Sequence, residues 1–383
     1  MRVVIIGGGI GGLTTAIALE RLGFDPHVYE QAPDLREIGA GIGLMANAVA
    51  ALDLLGLGGA VRSSTAAITQ GGVRNWRGDI LMEVATDPAM GRIAVAHRAE
   101  LLGTLAGAID PSRLHTGHEF TGIEQDAGLV RARFQNGSAA EGDLLVGADG
   151  LRSTVRSRLF GSIPPRYAGY TAWRAVTKFD RAGMQMAESW GCGRRFGIVP
   201  LQGGRIYWFA TDNAPEGERD RPGQARRELL DRFRGWHVPI EAVLEATEES
   251  AILRNDIFDL DPLSRWSDGR AILLGDAAHP MTPNLGQGAC QAIEDAVVLA
   301  ACLRTHSNVE AALAAYESRR RPRTREIVLQ SRRFGQIAQW QNRLLCWLRD
   351  TAIRATPVSV GERRMKELTG FELLTVGELR LFG

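Results

Sequence analysis

The stretch from Val3 to Glu30 reads VVIIGGGIGGLTTAIALERLGFDPHVYE, and it determines how the rest of the chain is organised. Its first four residues are apolar and β-branched, which predicts a strand buried on both faces. Leu13–Leu22 carries apolar residues at helical spacing, and Gly23 follows it as a helix stop. Val28-Tyr29 predicts a second strand, which ends at Glu30. The order strand, glycines, helix and strand is typical of an α/β domain.

The glycines between the first strand and the helix, Gly7, Gly9 and Gly12, form a G-x-G-x-x-G pattern. The first glycine allows a tight turn, the second lets a pyrophosphate approach the backbone, and the third lets helix and strand pack closely. The helix N-terminus offers N–H groups to the phosphates. Glu30 lies 18 residues after Gly12, where a carboxylate can accept hydrogen bonds from ribose hydroxyls. Together these features favour a dinucleotide site over a glycine-rich turn in an unrelated α/β protein.

Length, charge and cysteine spacing exclude several classes. The 383 residues suffice for two domains or one large one, and the net charge of +1 lacks the basic bias of nucleic-acid-binding proteins. None of the four cysteines forms a C-x-x-C pair, so we expect no metal site and no redox-active disulfide. The first strand begins too early for a signal peptide, and no apolar run reaches the ~20 residues of a membrane span. We therefore expect a cytoplasmic protein.

Two further buried strands end in an acid and a glycine. Asp149-Gly150 follows the apolar run 144–148, and Gly275-Asp276 follows the run 271–274. Ligands of open α/β sheets bind at the carboxyl ends of strands. With the first glycine-rich turn, three such ends suit a cofactor that is larger than a mononucleotide and extended across the fold.

Aromatic residues become frequent after residue 166, and Gly203-Gly204 separates two apolar runs as a hairpin turn does. We expect a mainly antiparallel β-sheet inserted into the dinucleotide-binding domain. The glycine-rich stretch Ile38–Leu44 is expected to be a loop close to a ligand. The predicted boundaries are 1–70, 97–165 and 265–320 for the dinucleotide-binding domain, 71–96 and 166–264 for a substrate domain, and 321–383 for a C-terminal helical segment.

Three segments in this order carry a family resemblance. They are GGGIGG with Glu30, GDLLVGADGLRSTVR at 142–156, and GDAAHPMTPNLGQGACQAIEDA at 275–296. They resemble the single-component FAD-dependent aromatic hydroxylases, the family of para-hydroxybenzoate and salicylate hydroxylases. The urate hydroxylase and zeaxanthin-epoxidase-like branch is the most similar. The resemblance extends from Arg2 to about Arg325.

This resemblance implies a Rossmann-type FAD-binding domain with an inserted antiparallel substrate domain and C-terminal helices. It implies FAD as cofactor, NADH or NADPH as a transient electron donor, and O₂ as co-substrate. The implied flavin-dependent monooxygenase hydroxylates an electron-rich aromatic or heteroaromatic small molecule through a flavin C4a-hydroperoxide. The chain has one dinucleotide fingerprint, which agrees with transient binding of NAD(P)H and leaves NADH and NADPH undistinguished.

The resemblance also implies roles around the flavin ring. Asp276 would bond the ribityl chain, although an aspartate there can also cap a helix. Backbone N–H groups of Gly286, Gln287 and Gly288 would point at the N1/O2 edge of the flavin, where they stabilise negative charge as an oxyanion hole does. Pro283 would line the side on which oxygen is activated.

Other roles concern the rest of the cofactor. Asp149 and Gly150 would contact FAD and shape the path for the nicotinamide. Arg98 would contact the diphosphate or the adenosine side, and a solvated surface arginine is the alternative. His279, three residues after Asp276, can be interpreted as a catalytic base, but a histidine that orients the loop is favoured.

The hairpin segment GRRFGIVPLQGGRIYWF suggests the substrate residues. It resembles the urate-hydroxylase hairpin, where an arginine and a tyrosine at the places of Arg195 and Tyr207 serve the substrate. Antiparallel pairing is expected to bring the two side chains together on one face. Arg195 would stabilise an anionic substrate, and with a pKa above ~12 it is no base at neutral pH. The alternative is a strand-surface arginine and an ordinary core tyrosine, with Arg174 as the next candidate.

Other hypotheses remain open at this level. The same fold also serves non-oxygenating FAD oxidoreductases, epoxidases of lipophilic substrates, and flavoproteins that bind lipid or a partner without turnover. The basic, apolar C-terminal segment is favoured as a helical cover on the FAD domain, because its charges alternate with packing residues. Contact with an anionic membrane surface is the less favoured interpretation.

Overall fold

The computed structural model describes residues 1–35, 41–68, 70–85, 93–126, 128–180, 184–370 and 374–383. Its strands are β1 (Arg2–Ile6), β2 (Asp25–Tyr29), β3 (Gly41–Leu44), β4 (Ala66–Ile68), β5 (Gln70–Asn75), β6 (Ile80–Ala85), β7 (Ile93–His97), β8 (Leu114–His115), β9 (Phe120–Asp126), β10 (Leu129–Phe134), β11 (Ala139–Gly142), β12 (Leu144–Gly147), β13 (Arg166–Lys178), β14 (Met186–Trp190), β15 (Arg194–Pro200), β16 (Arg205–Asn213), β17 (Leu253–Asp259), β18 (Ser267–Asp268) and β19 (Ala271–Leu273).

The helices alternate with the strands in the first part of the chain and dominate its end. They are α1 (Ile10–Arg21), α2 (Ala46–Leu54), α3 (Gly58–Ser64), α4 (Arg98–Ala106), α5 (Thr154–Phe160), α6 (Ala225–Arg232), α7 (Ile240–Glu245), α8 (Gly288–Thr305), α9 (Val309–Ala338), α10 (Arg343–Ala355), α11 (Val358–Thr369) and α12 (Val376–Leu379). Short 3₁₀ turns at 275–277 and 283–285 precede α8.

A six-stranded sheet with the order β18-β19-β12-β1-β2-β8 carries the first domain. All its pairs are parallel except β18 with β19 at the edge. Val3, Val4 and Ile5 are fully buried, because helices cover the sheet. β1, α1 and β2 form the strand–helix–strand unit that the sequence predicts. The α/β fold class with a Rossmann-type domain is confirmed.

A seven-stranded sheet with the order β17-β13-β16-β15-β14-β5-β6 carries the second domain. Its pairs are antiparallel except β14 with β5. On one face Trp173, Phe196 and Trp208 form a core with residues of α6 and α7. The opposite face, called the inner face below, is turned toward the first domain. Its strands lie within 70–85 and 166–259, whereas β7 pairs with β3 and β4.

The expected loop at Ile38–Leu44 is wrong for residues 41–44, which form β3 and pair with β7; residues 38–40 lie outside the described residues. A close approach explains the glycine at the start of β3. A Cβ on Gly41 would lie 2.3 Å from Cγ of Tyr207. Glycine in a strand marks such a contact, and here it brings the inner face against the first domain.

The C-terminal segment contacts both domains. α9 packs on α8, and Phe382 is buried in the core of the first domain, as expected of a cover on that domain. α10 differs, because it packs beside β6 and its Arg349 donates to the carbonyl of Gly191 at 3.1 Å. The expected cover on the FAD domain is therefore wrong for α10, whose place is on the seven-stranded sheet. Among the described helices, none is long and apolar enough to cross a bilayer.

Candidate active site

The three glycines of the first turn serve two different purposes. A Cβ on Gly7 would lie 2.4 Å from the carbonyl oxygen of Ala148, and one on Gly12 would lie 2.0 Å from the carbonyl oxygen of Gly7. These two glycines are therefore required by the fold itself. A Cβ on Gly9 would meet nothing within 4 Å, so the protein alone has room for a side chain there. The space beside Gly9 fits a ligand phosphate approaching the N-terminus of α1.

Glu30 faces this turn from the end of β2. One carboxylate oxygen accepts from the N–H of Gly8 at 2.7 Å, and the other accepts from the N–H of Ala32 at 2.8 Å. Each carboxylate oxygen has a further lone pair for a ribose hydroxyl. The two backbone bonds hold the carboxylate in place before any ligand arrives.

Asp276 lies in the 3₁₀ turn after β19 and is exposed. Its carboxylate has no hydrogen-bond partner among the described residues, and it caps no helix, so the capping alternative is not supported. Surrounding protein raises the pKa of Asp276, and the charges of His279, Arg98 and Arg156 act in the opposite direction. Arg98, the exposed first residue of α4, is thus near enough to act on Asp276. An exposed acceptor at this edge fits the ribityl hydroxyls of FAD.

His279 is buried, and its Nε2 lies 2.6 Å from a carboxylate oxygen of Asp295. Asp295 also accepts from the N–H of Gly275 at 3.0 Å. The histidine and the aspartate together fix the turn that carries Asp276. This geometry supports a histidine that orients the loop, as the sequence favours, rather than a base that touches a ligand.

The carboxylate of Asp149 is occupied by its own helix. It accepts from the hydroxyl of Ser153 at 2.5 Å and from the N–H of Val155 at 3.0 Å. Gly150 follows with φ +79°, in the left-handed region that favours glycine. Arg156, which the sequence did not single out, donates to the carbonyl of Ala277 at 2.9 Å and ties this motif to the turn of Asp276. Asp149 therefore shapes the backbone here, and only its remaining lone pairs are open to FAD.

The loop 283–288 leads into the N-terminus of α8. Gly286 takes a left-handed conformation, and no side chain caps the helix. The first N–H groups of a helix have no intrahelical acceptor, so those of α8 are available to the anionic edge of a flavin. A Cβ on Gly288 would meet only two atoms, at 3.9 and 4.0 Å. As at Gly9, the protein itself leaves room. Pro283 is exposed at the start of this loop.

Gln287 is buried, and its side chain is bonded within the protein. Its side-chain oxygen accepts from Asn47 at 3.0 Å and from Gln291 at 2.7 Å. Asn47 also donates to Glu294 at 2.6 Å. The side chain of Gln287 therefore anchors the loop on α2 and α8, which leaves only its backbone for the expected contact with a cofactor.

A fully buried ion cluster lies behind this anchor. Arg320 of α9 donates to a carboxylate oxygen of Asp295 at 2.5 Å, to Glu294, and to the side chain of Gln291 at 2.7 Å. Neither Arg320 nor the two acids is exposed. Arg323 adds two bonds of 3.0 Å to Glu294. The signal in the sequence was the pair Glu294-Asp295 inside an apolar helix, because buried acids require partners.

Arg195 lies on the inner face and is only 2% exposed, so a surface role is wrong. Its guanidinium donates to Glu188 at 3.0 Å, to the side chain of Gln339 at 2.9 Å, and to Oδ1 of Asn284 at 2.8 Å. The Tyr170 hydroxyl donates to the same oxygen of Asn284 at 3.1 Å. Asn284 belongs to the loop 283–288, and it connects the expected substrate arginine to the expected flavin loop.

Tyr207 shares the inner face with Arg195, but the two are not together. Arg195 pairs with Thr211 and Tyr207 pairs with Val199, a separation of about 13 Å at the ~3.4 Å rise of a strand residue. Phe209 lies between them, opposite Gly197. The expected contact is therefore wrong, although the shared face is right.

The sequence of this chain matches a known family over most of its length. The family model described as FAD binding domain matches residues 1–331. The aurachin C monooxygenase/isomerase of Stigmatella aurantiaca is 45% identical over 92% of this chain and 94% of its own. The chain belongs to the single-component FAD-dependent aromatic hydroxylases.

Two further comparisons support the same family. The FAD-dependent urate hydroxylase of Klebsiella pneumoniae is 35% identical over 87% of this chain and 89% of its own. The crystal structure of Klebsiella pneumoniae HpxO complexed with FAD and uric acid has a TM-score of 0.90 at 33% identity, and covers 97% of this chain and 96% of that chain. FAD binding is supported by the family. The open space at Gly9 and Gly288, and the carboxylate of Asp276, which has no hydrogen-bond partner among the described residues, are compatible with a bound FAD.

Proposed function

We propose that this hydroxylase uses NADH or NADPH and O₂ to insert one oxygen atom into an electron-rich aromatic or heteroaromatic small molecule that binds as an anion. FAD, when bound, supplies the exchange of electrons with the nicotinamide and the activation of oxygen. The chain's own residues hold the cofactor, orient the substrate and exclude water.

The hydrogen bond from Arg195 to Asn284 carries this proposal. It places a buried guanidinium next to the loop whose backbone faces the expected flavin. One carboxylate, Glu188, is its ionised partner, and the other two acceptors are neutral amides. Because the side chain of Glu188 is 23% exposed, this ion pair is not closed off by burial on both sides, and the guanidinium can still attract an anionic ring. The deprotonated form of a phenol or heteroaromatic ring is also its more electron-rich form.

The tyrosines of the inner face are suited to donate hydrogen bonds. Burial raises the pKa of Tyr170 above its ordinary value, against the opposing charge of Arg195. Burial likewise raises the pKa of Tyr207, and the charge of Arg174 opposes the shift. Both phenols therefore remain protonated at neutral pH, and we assign them to orientation of the substrate rather than to removal of a proton.

The test is oxygen transfer from ¹⁸O₂ with a panel of purines, phenols and quinolones that includes urate and aurachin C, the compounds in the names of the relatives. The FAD-loaded enzyme should oxidise NADH or NADPH faster with the right substrate, and the product should carry one ¹⁸O atom. Stimulated NAD(P)H oxidation without ¹⁸O in the product would contradict oxygenation and indicate a dehydrogenase. A panel with no stimulation and no product would contradict turnover of these classes.

Epoxidation is the second candidate, and one comparison favours it. Zeaxanthin epoxidase of Solanum lycopersicum is 35% identical over 84% of this chain and 52% of its own. Epoxidation and hydroxylation both add one ¹⁸O atom, so the carbon NMR spectrum of the product separates them. An oxirane signal in that spectrum would show that the enzyme forms an epoxide, and hydroxylation would then be the wrong assignment.

A further inference from the structure

Helix α10 has its polarity reversed relative to a usual surface helix. Cys346 and Arg349 are buried on its inner side, whereas Leu344 is 64% exposed, Trp347 61% and Leu348 47%. A surface helix normally turns its apolar stripe toward the core and its charges toward water. The exposed apolar side of α10 is therefore unexplained by packing among the residues that the structure describes.

The orientation of α10 is held by specific bonds. The Arg349 guanidinium donates to the carbonyls of Ala338 and Gly191, each at 3.1 Å, and pairs with Asp350. It also lies over the ring of Trp190, 5.0 Å from the centroid. The buried arginine therefore fixes which side of α10 faces outward.

The exposed side chains form one apolar patch at the start of α10 and the end of α9. Ile337 and Leu345 are 41% and 40% exposed. We call this set the apolar patch: Ile337, Leu344, Leu345, Trp347 and Leu348. Exposed apolar clusters of this kind mark interaction surfaces, whereas single exposed leucines need no explanation.

The exposed charges of the segment that carries the apolar patch are mostly positive, although Arg354 pairs with Asp79 of the neighbouring hairpin and Arg363 pairs with Glu367. From residue 333 to 370 the exposed acidic side chains are Glu362 and Glu367. The exposed basic side chains of the same range are Arg333, Arg343, Arg354, Arg363, Arg364 and Lys366. A basic rim around leucines and a tryptophan is the composition of helices that lie in the interface of an anionic bilayer. A second copy of this chain would bring the same positive rim against itself.

The patch also lies beside the active site. Gln339 and Trp340 connect α9 to α10, and the side chain of Gln339 accepts from Arg195. The carbonyl of Trp340 accepts from the N–H of Gly193 at 2.6 Å. The link between the two helices therefore lies on the end of β15 that carries the substrate arginine.

We infer that the apolar patch docks on the surface of an anionic lipid bilayer, with α10 lying in the plane of the interface and its basic rim on the headgroups. Trp347 and the leucines enter the boundary between headgroups and acyl chains. The inner face then lies close to the bilayer, so a substrate dissolved in lipid has a short path to it. This last consequence rests on the proposed function, whereas the docking does not.

Vesicle flotation tests the docking without any substrate. FAD-loaded enzyme is mixed with vesicles of phosphatidylglycerol and phosphatidylcholine, or of phosphatidylcholine alone, and the floating fraction is measured. We expect binding to the anionic vesicles and weak binding to the neutral ones. The double substitution Trp347→Gln, Leu348→Gln should lower the partition coefficient roughly tenfold or more, because both apolar side chains lose their burial in lipid. Raising the salt concentration should weaken the binding as well.

Leu129→Gln is the matched control, because Leu129 is 52% exposed on β10, which belongs to a different sheet from the one that α10 contacts. It should float as the wild type does. The flavin content of each purified variant verifies that it is folded. Equal flotation of the wild type and the double variant would overturn the docking. So would a dimer of the wild type in sedimentation velocity that the double variant cannot form, since the patch would then be covered by a second copy.

Discussion

Two buried arginines, one on each side of the active site, are neutralised in different ways. Arg320, behind the flavin loop, lies against two fully buried acids, Glu294 and Asp295. Arg195, on the inner face, has one ionised partner, Glu188, whose side chain is 23% exposed. The first arginine belongs to a closed ion cluster. The second is paired with a carboxylate that water can reach, so its ion pair is open to exchange.

This difference indicates which arginine can exchange a protein partner for a ligand. Removing Arg320 takes one cation away from two buried acids. Glu294 keeps Arg323 and Asp295 keeps His279, but the cluster then lacks a positive charge where no water can replace it, which destabilises the fold. If the guanidinium of Arg195 turns toward a substrate, it gives up bonds to the neutral amide oxygens of Gln339 and Asn284, and no buried charge is left behind. The cofactor side is therefore built to hold its shape, and the substrate side is built to be completed by a ligand.

The largest effect is expected from Arg320→Met. It leaves Glu294 and Asp295 buried beside a neutral side chain, which should cost roughly 3–5 kcal/mol of the free energy of unfolding. Urea unfolding of the apoprotein measures it. Arg323→Met is the control, because Arg323 is 20% exposed and Glu294 would keep its bond from Arg320. If Arg323→Met destabilises the protein as much as Arg320→Met, the buried cluster of Arg320, Glu294 and Asp295 is not the main source of stability behind the loop 283–288.

The next effect concerns catalysis. Arg195→Gln should lower the rate of oxygen insertion by roughly a hundredfold, as loss of a donor at a developing charge does, with little change in FAD affinity and more release of H₂O₂. Rates of ¹⁸O incorporation and of peroxide formation measure the two results.

Arg174→Gln sharpens the comparison. Arg174 shares the inner face, opposite Phe209, and forms no hydrogen bond or ion pair with the described residues. If Arg174→Gln abolishes oxygen insertion while Arg195→Gln leaves rate and coupling unchanged, the anion is held by Arg174 and our assignment of Arg195 is wrong.

Prediction from the sequence succeeds for local motifs and fails for the two buried arginines, most of whose partners lie far away in the chain. Gly9 and Glu30 belong to a local motif, so spacing alone places them, and the structure agrees. Arg320 stands in a run of arginines that the sequence presents as surface, and only the packing of α9 against α8 selects it for burial. Contacts between distant segments, such as Arg195 with Asn284, have no local signature.

The errors have the same origin. The sequence predicts a loop at Gly41, but Gly41 lies in β3, which pairs with β7, and Tyr207, far along the chain, occupies the space that a side chain there would need. Arg195 and Tyr207 were expected to meet, but the register of β15 and β16 sets them apart. The reversed polarity of α10 depends on the bonds that the buried Arg349 donates to the carbonyls of Ala338 and Gly191. In each case the deciding contact is tertiary.

On the cofactor side, Glu30→Ala should weaken FAD binding by roughly 1.5–3 kcal/mol, because the ribose loses a charged acceptor. Titration of apoprotein with FAD measures the dissociation constant. Gly288→Val should also weaken binding, with a much smaller effect on the stability of the apoprotein, because a Cβ at this position meets only two atoms, at 3.9 and 4.0 Å. Full FAD affinity in Glu30→Ala would remove the ribose assignment, and full flavin occupancy in Gly288→Val would remove that of the loop.

The smallest effect is expected when acid protonates Asp295 and lowers the free energy of unfolding. Burial raises the pKa of Asp295, but the charges of His279 and Arg320 outweigh it and lower that pKa from 3.8 to about 2. A carboxyl whose pKa is depressed by folding stabilises the protein above its unfolded pKa, and this stability is lost as the pH falls toward the folded value. Roughly 2 kcal/mol should therefore disappear between about pH 4 and pH 2. Urea midpoints measured across this range should fall less steeply in Asp295→Asn than in the wild type. Arg195→Gln, on the other side of the active site, should keep the wild-type slope; if it flattens the slope as Asp295→Asn does, the two arginine environments are coupled and the contrast between them fails.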